Sequence, residues 1–199
     1  MLDQYSLQQL AWIAFCVLLL GMTKGGFPVG PVALPVLILI WPSEMETAKS
    51  VIGFMLPLLC AMDIVAISFY RRYVRWDLIL RLVPGALIGV IVASVLFLPS
   101  DARFAVPDRG LQLCIGLIGI FFVVYRFGRS RILRHLPAKA DPSRRTSGAF
   151  GFFAGVTSTI AHGAGPIAQM YFLPQGLEKM NFAGTICGFF FGLNLVKLI

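Results

Sequence analysis

Charge is scarce in this chain. Asp, Glu, Lys and Arg together make up 13% of its 199 residues, and only nine of these are acidic. Soluble domains carry about 25%, so the shortage argues against an ordinary water-soluble globule. Cysteine is also thin. Its 4 residues, Cys16, Cys60, Cys114 and Cys187, stand singly inside apolar runs with no C-x-x-C pair. They read as small buried hydrophobes, which excludes a disulfide framework or a cysteine metal site. Neither G-x-S-x-G nor H-E-x-x-H occurs, which removes two common hydrolase signatures. The start, Met1-Leu2-Asp3, places no basic residue before the first apolar run, so no cleavable signal peptide is expected.

What fills the space is apolar sequence: 58% of residues are hydrophobic and the mean hydropathy is +0.83. Several runs approach the roughly 20 apolar residues that cross a bilayer. The fold class is therefore an all-α integral membrane protein, a helical bundle. The formal charge of +8 would suggest nucleic acid if it were spread out, but it is concentrated. Arg71, Arg72, Arg75 and Arg81 face a lone Asp77. Arg126, Arg129, Arg131, Arg134, Lys139, Arg144 and Arg145 face a lone Asp141. Both clusters flank hydrophobic spans, as cytoplasmic loops do under the positive-inside rule. Segments 71–77 and 126–147 are expected in the cytoplasm, with lipid and not nucleic acid as partner.

The first run is interrupted by Gly21-Met22-Thr23-Lys24-Gly25-Gly26-Phe27-Pro28-Val29-Gly30-Pro31. Glycine costs about 1 kcal/mol and proline about 3 in a helix interior, so a regular helix cannot pass through it. Broken backbone at membrane depth survives only where protein buries it or water lines it, and an ionisable residue there is a functional candidate. The spacing then predicts spans at 50–70, 78–98 and 111–125, the last with Gly116 and Gly119 as small packing positions. The basic loop 126–147 follows, closed by Pro137, Pro142 and Gly148.

Beyond that loop the pattern returns. A shift of 135 places pairs Gly30-Pro31 with Gly165-Pro166, Ala33 with Ala168, Met45 with Met180, Ala48 with Ala183, Gly53-Phe54 with Gly188-Phe189 and Leu58 with Leu193. The matches are few, but they coincide with the broken segment and the span after it. Duplication with a broken helix in each half points to a secondary transporter. Residues 1–140 form the first repeat, with the broken helix 7–41. Residues 148–199 form the first part of the second, with broken segment 148–173 and span 182–199. On this reading the second repeat is truncated. A stretch of 7–41 is too long for one straight crossing. A re-entrant hairpin gives inverted repeats and is favoured; one tilted, broken crossing gives parallel repeats. The sequence leaves both open.

Further motifs carry a family resemblance. Gly21-Met22-Thr23-Lys24-Gly25-Gly26-Phe27, Met62-Asp63 followed by Tyr70-Arg71-Arg72, and Val83-Pro84-Gly85-Ala86 resemble the first half of the sulfite exporter TauE/SafE family, the TSUP transporters. Ala161-His162-Gly163-Ala164-Gly165-Pro166, Tyr171-Phe172-Leu173-Pro174 and Asn194-Leu195-Val196-Lys197 resemble the second half. The resemblance implies a non-enzymatic carrier of the bacterial inner membrane with two homologous halves. It would move sulfite, organosulfonates or similar small anions, usually outward, without cofactor or metal. A homo-oligomer is compatible with it.

Physics supplies roles at the matching positions. An oxyanion needs hydrogen-bond donors and positive potential, which helix N-termini at a break provide. Gly25, Gly26, Gly163 and Gly165 would let backbone approach the ligand. Lys24 would neutralise it, and Thr23 and Ser158 would donate hydroxyls. Asn194 and Lys197, at i and i+3, would present one helix face. His162 could donate to the anion and also take a proton, and it and Asp63 inside its span are the proton-coupling candidates. Tyr171 and the phenylalanines at 189–191 are assigned to packing or lipid. Two other functions compete: a passive anion channel lined by the breaks, and an intramembrane enzyme prompted by Ser158 and His162 in one segment.

Overall fold

A computed structural model describes residues 6–24, 36–41, 47–97, 107–134 and 142–198. All regular elements among them are helical. Seven helices run in order: α1 (Leu7–Lys24), α2 (Thr47–Tyr70), α3 (Trp76–Phe97), α4 (Asp108–Arg134), α5 (Arg144–Ala161), α6 (Gly165–Phe172) and α7 (Lys179–Leu198). A short helical piece at 36–40 lies between α1 and α2. The two connections Arg71–Tyr73 and Leu173–Gln175 are single 3-10 turns.

Among the described residues, three helices are long and apolar enough to cross a membrane: Lys49–Tyr73, Trp76–Phe97 and Lys179–Leu198. Leu7–Met22 and Arg109–Tyr125 are shorter apolar helices. Pro57 and Pro84 stand inside α2 and α3 without ending them, as membrane helices tolerate when neighbours re-satisfy the freed carbonyl. Outward-facing positions are large and apolar: Phe69 is 75% exposed, Val95 65% and Leu113 66%. Water would penalise so continuous an apolar surface; acyl chains do not.

The α4 helix continues to Arg134, so the first part of the expected loop 126–147 is helical. Gly148, expected to oppose a continuing helix, lies inside α5. Four other glycines make the α3–α5 contact. A side chain on Gly85 or Gly89 of α3 would strike the backbone of Gly148 or Phe152, and one on Gly151 or Gly155 would strike Leu82 or Ala86. Without side chains at four positions the two backbones meet directly, the close approach that small residues allow in membranes. Gly116 and Gly119 do not share this role. No described atom lies within 4 Å of where their side chains would start, so the packing seam is α3–α5 and not α4.

These contacts fix directions. Leu82 meets Gly151 and Ala86 meets Gly155, so α3 and α5 run parallel. Gly184 of α7 lies against Tyr70 and Tyr73, while Asn194 reaches Asp63, so α2 and α7 run antiparallel. Thr185, fully buried, accepts the Arg75 amide at 3.1 Å, tying the start of α7 to the α2–α3 connection. The starts of α3, α5 and α7 therefore share one end of the bundle with Arg71, Arg72, Arg144 and Arg145. At that end Arg75 grips Asp77 with two hydrogen bonds, at 3.0 and 2.9 Å.

Segment 144–178 enters and leaves at this same end. The α5 helix ends at Ala161, the chain breaks at 162–164, and α6 turns back with Pro166 in its first turn, where a missing amide hydrogen costs nothing. Tyr171 Oη and Ser147 Oγ then meet at 3.0 Å in a buried hydrogen bond, closing the end of α6 onto the start of α5. Tyr171 also packs on Phe150 and Phe172, and Phe172 on Phe189. The corresponding question for 7–41 turns on residues 25–35, which lie outside the described residues.

Candidate functional site

The break after α5 carries the unusual backbone. His162 sits in the left-handed region, φ 47° and ψ 26°, and is the one non-glycine residue with positive φ among the described residues. Its amide donates to the Ser158 carbonyl at 3.0 Å and that of Gly163 to the Thr157 carbonyl at 3.1 Å. The turn uses up carbonyls that a helix end would otherwise leave orphaned. Left-handed backbone is uncommon outside glycine, though histidine is among the enriched exceptions.

The turn aims the imidazole at α7. Lys197 Nζ lies 3.1 Å from the Ser158 carbonyl, 2.9 Å from Ser158 Oγ and 3.3 Å from His162 Nδ1. An ammonium has three donors, and these are three acceptors. On the far side of the ring, Nε2 lies 3.2 Å from the Ile52 carbonyl of α2. A carbonyl only accepts, so Nε2 carries a hydrogen. The ammonium only donates, so Nδ1 presents its lone pair. His162 is thus a neutral imidazole in the Nε2–H tautomer, bridging α2 to the lysine. The cation also lies beside the C-terminal end of α5, the negative end of that helix dipole.

One turn back along α7, Asn194 Nδ2 donates to Asp63 Oδ2 at 2.6 Å. Both side chains are buried, Asp63 completely. A buried carboxyl group is costly unless hydrogen-bonded, and this one is; the half-buried Lys197 ammonium is hydrogen-bonded as well. The expected shared face of Asn194 and Lys197 exists, but the two residues reach different helices: Asn194 meets α2, and Lys197 meets the break after α5.

The glycines divide. A side chain on Gly163 would come within 2.9 Å of the Ile118 methyl on α4, so smallness there serves helix approach. At Gly165, first residue of α6, the same position is open. Thr23 and Lys24 end α1. Gly25 and Gly26 lie outside the described residues. Sequence reasoning missed the Ile52 carbonyl, because a backbone acceptor leaves no signature in residue type. Between α4, α5 and α6 lies a groove of about 500 Å³ lined by Phe121, Phe153, Thr157, Ile167 and others. It is apolar, and neither His162 nor Lys197 lines it, so it does not coincide with the polar cluster. Among the described residues no group of three or more His, Cys, Asp or Glu could hold a metal.

Ser158 and His162 meet around a lysine. The serine oxygen and the imidazole nitrogen both accept from Nζ, an arrangement about a cation and not a nucleophile handing its proton to a base. A helical bundle with lipid-facing apolar helices, a hairpin that enters and leaves at one end, and a half-buried ammonium at its tip defines a membrane protein of the transporter class. The chain belongs to the sulfite exporter TauE/SafE family, whose model matches residues 11–199. Searches of curated proteins and of solved structures gave no match.

Proposed function

We propose that the protein is a secondary carrier that moves a small sulfur-containing anion, sulfite or an organosulfonate, outward across the bacterial inner membrane. The observation that carries this reading is the Lys197 ammonium held on Ser158 and His162 at a helix break. The Ser158 carbonyl, Ser158 Oγ and His162 Nδ1 are neutral acceptors, which an oxyanion can replace one for one. One half-buried positive charge attracts the anion without holding it so tightly that it cannot leave.

Ser158, His162, Gly163, Gly165, Asn194 and Lys197 are the half-site contributed by the second broken segment. Thr23, Lys24, Gly25 and Gly26 are the half-site of the first. Asp63 and His162 are its titratable groups. The antiparallel course of α2 and α7 supports inverted repeats, because these helices are counterparts under the 135-residue shift. The shared end of the two arginine clusters supports a cytoplasmic location for both.

The test is flux of radiolabelled sulfite and methanesulfonate in proteoliposomes. Saturable transport is expected in the unaltered chain. Lys197→Met removes charge-assisted hydrogen bonds worth about 1.5–3 kcal/mol, so a roughly ten- to hundredfold loss of apparent affinity follows. Unchanged flux in Lys197→Met overturns the site, and ohmic, unsaturable current favours a channel.

A further inference from the structure

The His162–Lys197 cluster has a proton arrangement of its own, and an arriving anion disturbs it. His162 Nδ1 offers a lone pair to Lys197 Nζ, while Nε2–H is committed to the Ile52 carbonyl. When the ammonium turns its donors to an anion, the Nδ1 lone pair loses its hydrogen. It then faces an anion oxygen, which is also an acceptor. Two opposed acceptors at this half-buried contact each forgo a hydrogen bond, which is costly. We infer that each anion bound here is accompanied by one proton, shared between His162 Nδ1 and the anion. The inference rests on the carrier reading above and names its coupling.

The balance is simple. Either a hydrogen oxyanion arrives and its O–H donates to Nδ1, or a solvent proton adds to Nδ1 and the new N–H donates to the anion. Both complexes have the same composition, anion plus one proton, and no electrons move. Among the described residues, the charged group seen in contact with the ring is Lys197 from α7, and Asp63 of α2 meets α7 through Asn194. Lys49 stands one turn before Ile52 on α2, and α4 presents Ile118 at Gly163. Asp63 is engaged by Asn194, so the position that an anion would expose is Nδ1 of His162.

A permanently charged sulfonate has no proton of its own and reveals the step. Methanesulfonate is titrated into the full chain in nanodiscs at about pH 8, above the ordinary histidine range. Calorimetry in buffers of different ionisation enthalpy counts the protons taken up. Close to one per anion is expected, and the same for sulfite. His162→Gln, which keeps donor and acceptor but does not titrate, should bind with none. In 15N spectra on a His135→Gln background, the ring should change from the neutral Nε2–H form to imidazolium as methanesulfonate saturates. Those two measurements on the native ring decide the matter even if His162→Gln does not fold. Binding without proton uptake, or a ring that stays neutral, overturns the inference alone. Failure of both anions to bind or be carried overturns the carrier reading and the inference with it.

Discussion

His162 does two jobs that substitution can separate. Its left-handed backbone costs an ordinary L-residue roughly 1–2 kcal/mol, and its ring links α2 to Lys197. His162→Ala and His162→Gly both lose the ring, but only glycine adopts the turn freely. In thermal melts of the purified protein, the glycine variant should therefore be the more stable by about 1 kcal/mol. Both variants should be equally poor in anion flux. Equal melts would show that the turn relaxes when the ring is gone. A second residue-scale expectation concerns the buried pair. Asn194→Leu leaves the Asp63 carboxylate without its amide and should cost about 1–3 kcal/mol. The double variant Asp63→Leu/Asn194→Leu should cost less than the two single changes added together, by about 0.5–3 kcal/mol. Strict additivity would deny the contact at 2.6 Å.

At the scale of elements, the α3–α5 seam and the α5–α6 hairpin set where everything else stands. Gly151→Leu drives a side chain into the Leu82 backbone, which cannot move as a side chain would. Overpacking costs 1–3 kcal/mol even where side chains give way, occasionally more. Loss of the monodisperse peak in detergent is the expected result, whereas Gly116→Ala, facing open space, should elute and melt like the parent. If both behave alike, the seam is not where the backbones meet. The positions of the helices were largely legible beforehand: spans expected at 50–70 and 78–98 are α2 and α3 within a few residues. Gly116 and Gly119, expected as small packing positions, meet no described neighbour, because glycine in an apolar run announces smallness and says nothing of which face meets a neighbour. Gly148, expected to oppose a continuing helix, lies inside α5, because a glycine's cost of about 1 kcal/mol is one that packing overrides.

The whole molecule is organised by direction. Parallel α3 and α5, with antiparallel α2 and α7, put Arg71, Arg145 and Glu178 at one end. In a background without the four native cysteines, Arg71→Cys, Arg145→Cys and Glu178→Cys should all react with an impermeant thiol reagent from the same side of sealed vesicles. Labelling of Glu178→Cys from the opposite side would mean that 144–178 crosses once and that the hairpin is wrong.

The sequence by itself determined the membrane environment, the helical class, the interruption after α5 and the family motifs; of Gly21–Pro31, the described part to Lys24 is helical. These follow from properties written along the chain: apolar length against bilayer thickness, glycine and proline against helix, arginine against the membrane potential and lipid charge. Only the tertiary structure decided that Lys197 rests on Ser158 and His162, that Asp63 meets Asn194, and which ring nitrogen carries the hydrogen. Each depends on groups brought together from distant positions, 35, 39, 110 and 131 residues apart. Contacts of that kind come from helix packing, which no local pattern encodes.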